Sequence, residues 1–164
     1  MAKLVGSELP ADAVEALKPE NRSSKKGRVV QMITVNSKGW PNAGMLSYAD
    51  VIARDRKTLR LATWADGECA NDMRSNGKIA LLVIDYDMAY YVKGTVSEIR
   101  PRATELTDVN QEGGESRLAF FQIEVREVYE DRVPTARVLS GVKFEGSEAE
   151  EQAHEKILRY LIET

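Results

Sequence analysis

The run Thr58–Asp85, TLRLATWADGECANDMRSNGKIALLVID, most constrains what this chain can fold into. Thr58–Thr63 alternates as a β-strand, Asp66–Arg74 has room for two or three helical turns, and Ile79–Ile84 is an apolar run rich in β-branched residues. The order is strand, sharp turn, short helix, strand. The first backbone N–H groups of a helix lack intrahelical partners and the helix dipole is positive there, so Thr63–Gly67 offers a cradle for an anion such as a phosphate.

The flanking segments predict a sheet of antiparallel strands. Arg28–Asn36 is a strand ended by Ser37-Lys38-Gly39, and Ala43–Ala53 is its return across a hairpin at Gly39-Trp40-Pro41. Asp55-Arg56-Lys57 then turns into Thr58–Thr63, completing a meander. Beyond the Asp85-Tyr86-Asp87 turn, Ala89–Arg100 is a long strand with Gly94 as its bulge, and Pro101 closes it. Ala103–Glu115 is polar, with a helical turn expected over Thr104–Asn110 and a flexible Gly113-Gly114. Arg117–Glu130 alternates as a half-buried strand, and Arg137–Glu145 reads as a further short one. Two terminal helices complete the count of six or seven strands: Ser7–Lys18, capped by Ser7, and Ser147–Glu163, capped by Ser147. Asn21–Gly27 is expected to be a polar loop.

Composition bounds the function. At 164 residues the chain is long enough for one domain that buries roughly 70% of its unfolded surface. A net charge of −3 disfavours a polyanion grip, so no nucleic-acid partner is expected. One cysteine, Cys69, and one histidine, His154, cannot build a His/Cys zinc site or a disulfide, so no metal is expected. No apolar run reaches membrane-spanning length and the start lacks a signal-peptide core, which together predict a cytoplasmic protein with no membrane partner.

From Gly39 to Gly94 the chain resembles the pyridoxamine 5′-phosphate oxidase-like family of FMN-binding split β-barrels. The landmarks are Gly39-x-Pro41 before the second strand, the strand ending in Thr63, Ala70 in the inserted helix, Ser75-Asn76-Gly77 followed by a basic residue and an apolar strand, and Gly94 in the next strand. The resemblance implies a mainly β, six-stranded antiparallel split barrel with flanking helices, in one domain over residues 1–164. An N-terminal helix and loop would occupy residues 1–27 and a C-terminal helix residues 146–164. It also implies a homodimer with FMN held between subunits, and flavin-dependent oxidoreductase activity on a small molecule. By the same resemblance the backbone of Met45, Leu46, Ser47 and Tyr48 would follow the flavin ring edge. Ala62, Thr63 and Trp64 would lie near the ribityl-phosphate, with Cys69 in the following helix.

One departure stands out. Family members place an arginine in the second strand and a basic pair after the Thr-ending strand, where this chain has Gly44, Glu68 and Cys69. Unit charges at about 5 Å and an effective dielectric of about 20 interact by roughly 3 kcal/mol, so the replacement of cations by Glu68 alters phosphate binding. Arg60, Arg74 and Lys78 are the substitutes at hand. The alternative implied by the departure is a non-enzymatic dimer with lost or altered cofactor binding, serving as a ligand-binding or stress-associated protein. A deazaflavin or haem user on the same fold is equally compatible.

The remaining candidates have plainer readings. Cys69 at a helix start is either an activated thiolate or a small buried hydrophobe, and Asp66, Glu68 and Asp72 oppose activation. His154 reads as an exposed or interfacial histidine without a partner. Tyr86, Tyr90 and Tyr91 either line a substrate pocket or pack as strand aromatics.

Overall fold

The computed structural model describes residues 1–103, 118–146 and 148–163. Eight antiparallel strands form one sheet: β1 (Lys3–Gly6), β2 (Val29–Val35), β3 (Pro41–Ser47), β4 (Val51–Ala53), β5 (Thr58–Trp64), β6 (Lys78–Asp85), β7 (Met88–Arg100) and β8 (Leu118–Glu130). Three α-helices accompany them among the described residues: α1 (Ala11–Ala16), α2 (Glu68–Asn76) and α3 (Glu148–Glu163). The order across the sheet is β3-β2-β6-β7-β8-β5-β4, with β1 added beside β8. Six of these strands have seven residues or more, matching the expected barrel; β1 and β4 are the short additions.

The expected meander is present, with its middle strand broken. Ala43–Ala53 was expected to run through; it divides into β3 and β4 at Tyr48-Ala49-Asp50, because the Asp50 carboxylate accepts the Ser47 N–H (2.8 Å) and the Asp50 N–H returns to the Ser47 carbonyl (3.0 Å). The first half pairs with β2 and the second with β5, so one chain segment joins the two ends of the strand order. The sheet must curl to allow this. The curl encloses Val30, Met32, Leu46, Leu59, Leu61, Leu81, Val83, Val92, Phe121 and Ile123, with Leu9, Leu17, Ala70 and Met73 arriving from the helical segments.

Alternation along each strand sorts residues between faces. Phe121, Ile123 and Val125 of β8 enter the barrel, while Leu118 and Phe120 face outward and join Ile52, Ala62, Ile157 and Leu161 beneath α3. Phe120 meets the Tyr160 ring at a centroid distance of 4.5 Å. The carbonyls that end α3 are met by cations: Arg54 donates to the Ile162 carbonyl (2.7 Å) and Arg60 to that of Leu161 (3.2 Å). Positive groups there also suit the helix dipole.

Gly94 is the expected bulge. The β7–β8 register shifts between Lys93 and Gly94, and a β-carbon at Gly94 would meet the Glu124 carbonyl at 2.7 Å and the Ile123 side chain closer still. Helix α2 is anchored by Asp72, whose carboxylate accepts from Thr34 Oγ1 on β2 and Asn42 Nδ2 on β3, both at 2.8 Å.

Other expectations change. The N-terminal helix covers Ala11–Ala16 only, behind β1 and with Pro10 in place of a Ser7 cap; Leu9, whose N–H donates to the Arg56 carbonyl, keeps the preceding residues extended. The expected loop Asn21–Gly27 lies mostly within a 3₁₀ segment, Pro19–Lys25, opened by its proline. Arg137–Glu145 is not a strand. Its backbone bonds go to scattered partners, Val142 O to Val29, Val138 O to Asp87 and the Phe144 N–H to Gly27, with one isolated bridge between Lys143 and Arg28. The expected turn within Thr104–Asn110, Gly113-Gly114 and the Ser147 cap lie outside the described residues.

Two substitutions test these anchors by urea denaturation. Gly94→Ala should lower stability by about 1–3 kcal/mol, because the new methyl group meets backbone as well as side chain. Asp72→Ala should cost about 1–3 kcal/mol for each donor left buried without an acceptor; an unchanged midpoint would remove Asp72 as the tie between α2 and the sheet.

Candidate functional site

The corner expected to hold an anion forms where β5 passes into α2. Thr63 ends the buried part of β5 and is 7% exposed, while Trp64, one residue on, is 56% exposed. The chain then turns tightly: the Gly67 N–H donates to the Trp64 carbonyl (3.1 Å), and a β-carbon at Gly67 would lie 3.2 Å from that oxygen. α2 starts from Gly67 in extended conformation with no side-chain cap, and its first backward bond runs from Asn71 N–H to Gly67 O. The N–H groups of Glu68, Cys69 and Ala70 therefore precede the helical ladder.

The packing of α2 brings this corner to β3. A β-carbon at Gly44 would lie 2.5 Å from Met32 Cε and 3.4 Å from Cys69 Sγ. Two of the three positions that are basic in the family are thus neighbours here, and Met32 fills the space between them. Cys69 packs partly buried against the barrel core. Glu68 is exposed.

Two of the three substitute cations are already bonded within the protein. Arg74 donates to the Ala65 carbonyl (2.6 Å) and to Glu98 (2.7 Å), Arg60 lies beneath α3, and Lys78 is exposed at the start of β6. Arg102 holds Asp66 at 2.6 Å. The donor set at the corner consists of backbone N–H groups and the Thr63 hydroxyl. These fit a phosphate by hydrogen bonding, without a side-chain cation among the described residues that is committed to it.

β3 supplies the second wall. As the end strand of the order it pairs with β2 alone, so half of the N–H and C=O groups of Pro41–Ser47 point away from any strand. Met45 projects outward, 70% exposed, whereas Leu46 is buried in the core. Ser47 and Tyr48 sit at the break, the Ser47 hydroxyl accepting the Ala49 N–H (3.0 Å) and Tyr48 turning inward at 5% exposure. Ala62 is buried beneath α3. Of the expected site residues, Cys69 and Gly44 come together; the side chains of Leu46 and Ala62 serve packing.

The tyrosines do not share a pocket wall. Tyr90 points inward and donates to Asp12 (3.0 Å), and burial, helped by that carboxylate, pushes its hydroxyl up to about 12. Tyr91 bonds Asp131 (2.6 Å) on the other face, and exposed Tyr86 accepts from Arg137 (2.7 Å). His154 differs from expectation: it is half-buried, with Nε2 3.9 Å from Asp50, on a cavity of about 540 Å³. That cavity also contains the cations of the 3₁₀ segment and the Tyr48 ring; sequence reading passed over it because NRSSKKGR looks like an ordinary polar loop.

Among the described residues no helix is long and apolar enough to cross a membrane, and no group of three or more His, Cys, Asp or Glu side chains is placed to hold a metal.

The chain is similar to known proteins in sequence and in fold. A Bacillus subtilis (strain 168) protein, the uncharacterised YclD, is 28% identical over 129 residues, covering 79% of this chain and 78% of YclD. A crystal structure from Lactobacillus delbrueckii, named for pyridoxamine 5′-phosphate oxidase, superposes with a TM-score of 0.57 at 20% identity, covering 78% of this chain and 98% of that one. A pyridoxamine 5′-phosphate oxidase-related, FMN-binding protein of Nostoc punctiforme gives a TM-score of 0.53 at 14% identity, covering 72% and 81%. Likenesses at this identity establish the fold. The family model for pyridoxamine 5′-phosphate oxidase matches residues 17–131, from the end of α1 to the end of β8, and the protein therefore belongs to that family.

Proposed function

We propose that the protein is an FMN-binding homodimer that acts as an oxidoreductase on a small molecule. The single observation that carries the reading is the convergence of the uncapped start of α2 with the free edge of β3, in a chain of this family. The FMN-binding name of the Nostoc relative supports the choice of cofactor. When bound, the flavin supplies the redox chemistry.

The chain's own part is to bind and orient. The N–H groups of Glu68, Cys69 and Ala70, with the Thr63 hydroxyl, hold the phosphate, and the outward backbone of Met45–Tyr48 donates to and accepts from the ring edge. Trp64, exposed at the same corner, is the aromatic side chain available beside that site.

The outer face supports the reading of a second subunit. Residues paired across the sheet share a face, and one row there reads Met45, Gln31, Leu82, Tyr91, Tyr129, the next Ala43, Ile33, Ala80, Lys93, Glu127. The face is therefore largely apolar over β3, β2 and β6, and becomes charged at the Lys93–Glu127 pair (3.2 Å). Val35 and Trp40, 42% and 69% exposed at the β2–β3 end, extend the uncovered apolar surface. Exposed apolar area of this kind is typical of protein interfaces.

The alternative, a non-enzymatic dimer with altered cofactor binding, is favoured by Gly44, Glu68 and Cys69 alone. Flavin titration separates the two. Purified protein should quench FMN fluorescence saturably; Thr63→Ala should weaken binding about tenfold, and Glu68→Lys should tighten it about tenfold as repulsion becomes attraction. Glu68→Lys is the informative gain, since an arginine at Gly44 would have to displace Met32. A chain that ignores FMN in both forms points to the non-enzymatic reading. Met45→Asp should turn a dimer into a monomer in sedimentation; a monomeric parent would remove the shared site.

A further inference from the structure

Arg74 lies in the last turn of α2, yet its guanidinium reaches the corner that precedes the first turn. Side chains on a helix tilt toward its N-terminus, which puts that corner within range of a long arginine. Nη1 donates to the Ala65 carbonyl (2.6 Å) and to Asn71 Oδ1 (3.1 Å). Nε and Nη2 both donate to Glu98 Oε1 on β7, at 2.8 and 2.7 Å. The guanidinium carbon stands over the Phe121 ring of the barrel core, 5.7 Å from its centroid. A planar fork held from these sides has one orientation.

What the fork holds decides which way the corner faces. Ala65 is 2% exposed and belongs to the barrel core, so its carbonyl is a buried acceptor that needs a donor. Among the described residues that donor is Arg74. Because the peptide unit is planar and trans, the N–H of Asp66 points opposite to the Ala65 carbonyl, away from the guanidinium. This N–H has no hydrogen-bond acceptor among the described residues, and Asp66 is exposed. The tight turn at Gly67 and the uncapped start of α2 follow directly.

We propose that Arg74 is the positioning residue of the phosphate corner. By holding the Ala65 carbonyl inward it turns the Asp66 N–H outward, as a fourth backbone donor beside those of Glu68, Cys69 and Ala70. The identity of the anion rests on the flavin reading; the orientation of the corner does not. Glu98 both aims the fork and balances its charge, so Arg74 acts through backbone geometry and not as a counter-ion.

Arg74→Met, which keeps a long stem and removes every donor, tests this in the full chain with two readouts. Without ligand, amide hydrogen exchange at Gly67 should quicken at least tenfold, with Leu81 and Ile123 in the barrel unchanged, because the turn opens while the core stays closed. With FMN, binding followed by fluorescence quenching should weaken five- to tenfold with the same dependence on salt as the parent; loss of a counter-ion would reduce that dependence. Arg74→Lys keeps the charge without the fork and should resemble Arg74→Met in both readouts. Parent-like exchange at Gly67 in both variants, or parent-like FMN affinity in either, would overturn the proposal. A parent that does not bind FMN removes the flavin reading alone, and exchange at Gly67 then decides on Arg74.

Discussion

The interruption of one strand at Tyr48-Ala49-Asp50 is the constraint on which the rest depends. Asp50 holds it from three sides: its carboxylate on the Ser47 N–H, its N–H on the Ser47 carbonyl, and its own carbonyl on the Ala62 N–H at 2.8 Å. Without that turn β3 and β4 would be one strand, and a single flat meander would leave the inward residues without an opposing wall. With it the sheet closes around Phe121 and Leu61, and β3 is left as an end strand with a free backbone edge. Closure of the core and exposure of that edge are the same event.

Much of this was legible because it is local. Period-two alternation in Arg117–Glu130 gave β8 and both of its faces, and a glycine inside an apolar strand gave the Gly94 bulge. The break was missed for a physical reason. AGMLSYADVIA contains no proline and no glycine near its middle, so its apolar content masks a turn made by side chains, Ser47 and Asp50, three residues apart. Arg137–Glu145 misled in the opposite sense: its composition suits a strand, yet β2 and β6, which it lies against, are each paired on both sides, and Gly141 lies hard against the Ile84 carbonyl.

The site was legible in outline and not in charge. Thr63 and the start of α2 could be placed from the strand, turn and helix signals alone. The cationic cavity could not. Lys25 and Asp85 are 60 residues apart, and Asp85 reads in sequence as an ordinary turn carboxylate, whereas the fold buries it to 1% exposure between two cations. Burial of a carboxylate requires compensation of this kind, so the pairing follows once the topology is known and has no signal before it.

The distribution of cations then decides what kind of grip each site can exert. At the α2 corner Arg74 is spent on Ala65 and Glu98 and Arg102 on Asp66, so an anion there must be held by groups fixed in the backbone. Such donors lose no side-chain freedom on binding, but their aim is only as good as the placement of the helix. That placement rests on the buried Asp72 carboxylate and its bonds to Thr34 on β2 and to Asn42 on β3, the strand that carries Gly44. The aim of any anion held there consequently follows the geometry of α2, with the exposed Glu68 carboxylate opposing it by charge.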